Sequence, residues 1–315
     1  MVNFSVQGWR NFFYINLVQK SEMGSSEGDQ LMMLIRRAFA GLAGLSLGGL
    51  AGLAAAQQAE LPSQIEAPVE AEVPNAKPGL QISLGLGAAY LPDYEGSNDY
   101  KATPLWSLRV GNLYDPETYV SLVGTTFRSN LIPSEHWRLG VTARYVKDYD
   151  NVEDDEVKNV TSTEKALMLG GTVGYDFITG LKQDAALELD ALGDALHGNG
   201  YTLTPRFRFR TPVSDRLLFE TTASGTYASG DYMENFFGVT PGDAKRSGLR
   251  PYDANSGFKD VAFTASLTYG LGEHWSLTGL GSFERLLGDA ADSPIVNHRG
   301  SEDQGIGALL LSYRF

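Results

Sequence analysis

Gly305-Ile306-Gly307-Ala308-Leu309-Leu310-Leu311-Ser312-Tyr313-Arg314-Phe315 ends the chain, and its period decides the fold. In an extended backbone successive side chains point to opposite sides, so Gly307, Leu309, Leu311, Tyr313 and Phe315 share one face. The same period runs through Leu80, Ile82, Leu84, Leu86, Ala88 and Tyr90, and through Leu167, Leu169, Gly171, Val173, Tyr175 and Phe177. It returns in Val261, Phe263, Ala265, Leu267, Tyr269 and Leu271. A helix would need spacings of three and four, so these segments are strands.

Similar runs occur near 104–111, 118–130, 137–147, 181–191, 201–210, 216–228 and 275–287. Segments of about ten residues match a tilted strand crossing a bilayer. Soluble sandwiches typically use strands of about five or six. The connectors alternate: Thr179-Gly180, Pro212-Val213-Ser214-Asp215 and Gly272-Glu273-His274 are tight, whereas 148–163, 229–257 and 288–303 are long. Short turns on one side and long loops on the other describe an outer-membrane barrel, the closed form that satisfies every backbone group in lipid. These runs make eleven segments, yet a barrel with both termini on one side needs an even number. The weak region is 104–135, where one segment is split or does not span. The expectation is an all-β, closed antiparallel transmembrane barrel over 80–315, with about twelve strands and ten as the alternative.

Composition agrees. The 315 residues carry 38 acidic against 25 basic side chains, a formal net charge of −13, and no cysteine. A thiol nucleophile, a thiolate metal site and a disulfide framework are excluded. The acidic balance argues against nucleic-acid binding. Near the N-terminus, Met32-Met33-Leu34-Ile35-Arg36-Arg37 precedes the apolar run Ala38 to Leu53 and an A-x-A ending at Ala56. This reads as a secretory signal peptide over 32–56, with residues 1–31 an overextended start. Pro62, Pro68, Pro74 and Pro78 mark 57–79 as a Pro/Glu-rich periplasmic linker.

Leu311, Tyr313 and Phe315 resemble the C-terminal signal read by the barrel assembly machinery. Leu91-Pro92-Asp93-Tyr94-Glu95-Gly96-Ser97, the Tyr232 to Asp260 loop and Asp289-Ala290-Ala291-Asp292-Ser293-Pro294-Ile295-Val296 resemble the MltA-interacting protein/OmpV family of outer-membrane proteins. His274-Trp275-Ser276-Leu277 and Arg285-Leu286-Leu287-Gly288 extend the similarity, which covers roughly 80–315 and is strongest after 212. The resemblance implies a scaffold of peptidoglycan metabolism, holding a lytic transglycosylase near a bifunctional penicillin-binding protein. Other members of that family are described as adhesins or stress-responsive proteins. It supplies no catalytic motif, so no residue roles are carried over.

In Tyr201 to Arg210, the arginines Arg206, Arg208 and Arg210 fall opposite Leu203, Phe207 and Phe209. With the apolar side toward lipid, the arginines line the lumen, as an anion-selective pore would require. One strand earlier Asp184, Glu188 and Asp190 share that side. A pairing sum near 392 sets Asp184 opposite Arg208, so a cross-strand lattice filling the lumen is favoured over a conducting pore. The acidic stretch 148–156 lacks the glycine and spacing of an EF-hand and reads as a solvated loop, with calcium or lipopolysaccharide-shared ions as the rival. Four histidines (His136, His197, His274, His298) give no compelling hydrolase constellation. No catalytic, cofactor or metal site is assigned. Trp106, Trp137, Trp275 and Tyr313 read as membrane-interface aromatics. Tyr232, Phe236 and Phe237 either form an exposed patch for a receptor or adhesin role, or fold inward over the mouth.

Overall fold

The computed structural model describes residues 79–180 and 183–315. The expected signal peptide, the 1–31 segment and all of the linker but Gly79 lie outside the described residues. The rest is a closed antiparallel barrel of twelve strands in chain order. They are β1 (Gln81–Pro92), β2 (Tyr100–Gly111), β3 (Tyr119–Val123), β4 (Thr126–Asn130), β5 (Trp137–Val146), β6 (Ala166–Gly180), β7 (Gln183–Asp194), β8 (Tyr201–Ser214), β9 (Leu217–Ala228), β10 (Gly257–Gly270), β11 (Trp275–Leu286) and β12 (Asp303–Arg314). The C-terminal strand closes the wall against β1, with Leu311 opposite Leu86 and Leu309 opposite Ala88.

The missing twelfth strand comes from the 118–130 run, which turns at Gly124-Thr125 into β3 and β4. Each has five residues, too short to be separated by period alone. The β4–β5 seam is mostly not a ladder. Ser129 Oγ donates to the Val141 carbonyl at 3.0 Å and accepts from its N–H at 2.8 Å, and Asn130 Oδ1 accepts from Leu139 N–H at 3.1 Å. These side chains stand in for strand pairing. A Cβ on Gly140 would lie 1.7 Å from the Ser129 carbonyl oxygen, so only glycine fits there.

Two of the expected tight turns move. Thr179 and Gly180 belong to β6 and pair with Asp184 and Gln183, and Pro212 to Ser214 belong to β8, whose turn is 215–216. Bulges in both strands add residues that a strict period of two cannot anticipate.

Alternation sorts the faces. Leu84, Leu86, Leu169, Val173, Phe263, Leu267, Leu309 and Leu311 are exposed on the outside, as lipid contact requires. The β2–β3, β4–β5, β8–β9 and β10–β11 connections gather at the end that carries both termini of the barrel. The long loops 147–165, 229–256 and 287–302 gather at the other, where α1 (Asp155–Lys158), α2 (Gly230–Phe237), α3 (Pro241–Ser247), α4 (Gly288–Asp292) and α5 (Pro294–Asn297) lie.

Candidate functional site

The lumen side of β4 to β9 is a buried ionic lattice. Arg206 meets Glu188 at 2.9 Å and Asp190 at 3.2 Å; Arg208 meets Asp184 at 3.0 Å and Asp176 at 3.1 Å. Arg210 binds Glu220 at 2.7 Å and lies 3.6 Å from Asp184. Arg128 adds a fork on Asp190 at 2.7 and 3.3 Å, and Arg138 reaches Asp176 at 2.5 Å. Thr172 Oγ1 donates to Asp190 at 2.6 Å.

All six expected lattice residues are therefore brought together, but in a different register. The β7–β8 pairs are Asp184 with Arg210, Ala186 with Arg208 and Glu188 with Arg206. The expected register was two residues off, because the length of the turn that closes the hairpin over 195–200 is not written in the strand pattern. A shift of two keeps every residue on its face, so the partners remain but become diagonal as well as direct. Arg128, Arg138, Asp176 and Glu220 were not foreseen. Arg128 sits on the five-residue strand β4 and Asp176 beside the β6 bulge, whereas Arg138 lies on β5, inside the 137–147 run. The completed lattice holds five arginines (128, 138, 206, 208, 210) and five carboxylates (176, 184, 188, 190, 220), a balanced set.

Above the lattice the mouth carries a packed cap. Tyr232, Met233, Phe236 and Phe237 of α2 are buried with Leu286, Ala290 and Val296. Tyr94, Tyr149, Val157, Val239, Leu249 and Ile295 form a second apolar cluster between the loops. The aromatic trio of the longest loop folds inward, leaving no exposed patch of Tyr232, Phe236 and Phe237.

Polar contacts fasten the loops to one another. Asp154, in the acidic stretch, caps α1 through the N–H groups of Glu156 and Val157 and takes Arg299 at 2.6 Å. Burial works to raise its pKa, but the Arg299 hydrogen bond and the two backbone donors hold the carboxyl below the ordinary range. Asp243 is likewise held down: hydrogen bonds from Ser162, Thr240, Thr161 N–H and Arg246 outweigh its burial. Burial, helped by the negative Asp154, pushes the Tyr94 phenol up.

Where the mouth meets the wall, Glu95, Asp260 and Glu284 bring one carboxylate oxygen each within 4.8 Å of the others. Lys259 stands among them, bonded to Glu95 and 2.6 Å from Asp260. Lys259 and Asp260 are neighbours, yet both are buried. The β9–β10 register skips Lys259, and that bulge turns two consecutive side chains inward. All four residues lie in or beside stretches that carried the sequence resemblance, but strict alternation would have put Lys259 on the outer face.

The aromatics form pairs at strand ends. Trp137 meets Tyr175 edge-on at 4.9 Å and Trp275 meets Tyr313 at 4.8 Å, each beside a histidine stacked on the tyrosine. In both, the histidine Nδ1 contacts the carbonyl of the residue after the tyrosine, at 3.1 Å from Asp176 and 2.9 Å from Arg314. Trp106 differs: it is half-buried in the middle of β2, opposite Leu86. Leu311 and Phe315 are exposed on the outer face, and the Phe315 ring packs on Tyr313 at 4.9 Å.

A closed barrel with an apolar outer band defines an outer-membrane β-barrel protein. Among the described residues no helix is long and apolar enough to cross a membrane. The family model described as "MltA-interacting protein MipA" matches residues 84–315, and the chain belongs to that family. "Putative outer membrane protein YiaT" of Escherichia coli K12 is 24% identical over 226 residues, covering 70% of this chain and 87% of the relative. "MltA-interacting protein" of the same strain is 26% identical over 182 residues, covering 56% of this chain and 69% of the relative. Among solved structures, a NanC porin aligns over 73% of this chain and 98% of its own, at 10% identity and a TM-score of 0.39.

Proposed function

We propose that the protein is a non-enzymatic scaffold of the outer membrane that holds a peptidoglycan-remodelling enzyme at its periplasmic face. The observation that carries this reading is the ion-paired inner wall. Buried ion pairs line the lumen side of β4 to β9, and apolar clusters of loop residues pack at the mouth. An anion-selective lining would instead expose a surplus of positive charge to water. A barrel so lined does its work on its surfaces. The family adds the chemistry of the partner, since one relative is named for its interaction with MltA, a lytic transglycosylase. A penicillin-binding protein is the second enzyme such a scaffold would bring alongside. Trp137, Trp275 and Tyr313 anchor the barrel at the lipid interface, Leu311, Tyr313 and Phe315 present it to the assembly machinery, and lipopolysaccharide surrounds its outer half.

The test is photo-crosslinking in living cells from Glu135, Asp215 and Glu273, which are exposed at the short-turn end. Capture of a lytic transglycosylase or a penicillin-binding protein is expected. Recovery of assembly factors alone would contradict the scaffold reading.

A further inference from the structure

The cluster at the rim of the mouth sets three carboxyl groups around one ammonium. Asp260 and Glu284 are 3% and 8% exposed, and Glu95 is half-buried in the loop after β1. One ammonium, Lys259, faces these three carboxylates, a formal surplus of two negative charges when all are ionised. Two buried oxygens here have no hydrogen-bond partner: Asp260 Oδ1 and Gln304 Oε1. Gln304 is 2% exposed and stands directly opposite Glu284 in the β11–β12 register, on the same inward face. Its amide cannot simply be turned over. Nε2 donates to the carbonyls of Ser97, Ser301 and Asp303 at 3.1, 2.8 and 3.3 Å, which leaves the oxygen to face something else.

We propose that Glu95, Asp260 and Glu284, with Gln304 as a neutral fourth oxygen, form a site for one divalent cation of the calcium or magnesium class. The donors are all hard oxygens, the set those ions select. Calcium–oxygen distances of about 2.4 Å put ligands on opposite sides of the ion about 4.8 Å apart, and the three carboxylate oxygens lie within 4.8 Å of one another. One divalent ion together with Lys259 neutralises the three carboxylates. The ligands come from the 93–99 loop, β10, β11 and β12. An ion there fastens the first loop to the wall beneath the cap, where Gly96 and Gly300 already let the 93–99 and 287–302 loops meet through a Ser97–Gly300 bridge.

The experiment uses the full chain refolded in detergent free of lipopolysaccharide, stripped with chelator and titrated with Mn²⁺ while free ion is read by electron paramagnetic resonance. One Mn²⁺ per chain is expected, displaced by Ca²⁺. Glu284→Gln and Glu95→Gln should each lose it, while Asp148→Asn in the acidic loop keeps it. Heat-modifiable gel mobility reports folding of each variant. If Glu284→Gln does not fold, Glu95→Gln, which lies outside the strands, decides. Absence of stoichiometric binding to the folded wild type would overturn the site. So would binding that persists in Glu95→Gln, because the ion would then sit elsewhere.

Discussion

Asp190 holds three partners at once: Arg128 at 2.7 Å, Arg206 at 3.2 Å and the Thr172 hydroxyl at 2.6 Å. Removing one side of a buried pair leaves an uncompensated charge, which costs about 3–5 kcal/mol. Asp190→Ala is therefore expected to lower unfolding free energy in detergent or liposomes by about that amount. The double change Arg128→Met with Asp190→Leu should recover part of it, because Arg128 no longer lies unpaired and Arg206 keeps Glu188 at 2.9 Å. Equal losses in the single and double variants would show that the pair is not the source. The loop carboxylates make a second claim at this scale. Asp154 and Asp243 both have folded pKa values below the ordinary carboxylate value. Each adds stability to the cap that is complete above about pH 3.9, the unfolded value, and disappears as pH falls through the lower folded value. Proteolysis of the 229–256 loop should accordingly be slow at neutral pH and accelerate only in acid below that value. Asp243→Asn should be cut faster at neutral pH and lose most of that pH dependence. Residue faces were legible in the sequence because strand period is two; partners were not, because a pairing register also needs turn lengths.

At the scale of elements, the irregular places decide which residues meet. The β10 bulge turns Lys259 inward beside Asp260, and the short β3–β4 hairpin leaves its neighbour β5 to be held by Ser129 and Asn130. Gly140→Ala should block refolding, read as loss of the heat-modifiable band, since a methyl group there meets the Ser129 carbonyl at 1.7 Å. Normal refolding of that variant would mean that the seam can part without loss of the wall. The cap makes a complementary prediction. Phe237 is fully buried among α2, Leu286 and Val296. Phe237→Ala should destabilise the cap by about 3–5 kcal/mol and expose the 229–256 loop to protease, while the barrel keeps its strand signal in circular dichroism. Alternation in β1 and β12, and in β6 and β10 away from their bulges, made those strands readable. The run 118–130 could not be divided from sequence, since five-residue strands leave too few periods. The cap helices could not be anticipated either, because they gain their stability from packing against the rim rather than from their own short sequences.

For the whole molecule, the scaffold reading requires an interior that is structural. Five arginines and five carboxylates pair along the lumen side of β4 to β9, with Arg144 on the same inward face outside these pairs, and loops from the 93–99, 147–165, 229–256 and 287–302 segments pack together above it. The barrel and its membrane placement followed from strand length, alternation and the pattern of loops. That apolar loop residues pack together at the mouth needed the folded loops. A scaffold gains rigidity from such packing, and a transporter would be obstructed by it. The most direct measurement is single-channel recording of the refolded full chain in a planar lipid bilayer, beside a variant lacking residues 231–255. No steady conductance is expected from the full chain, and little from the loop deletion, since the lattice remains. A stable open channel in the full chain, with current carried through the unmodified lumen, would contradict the scaffold reading.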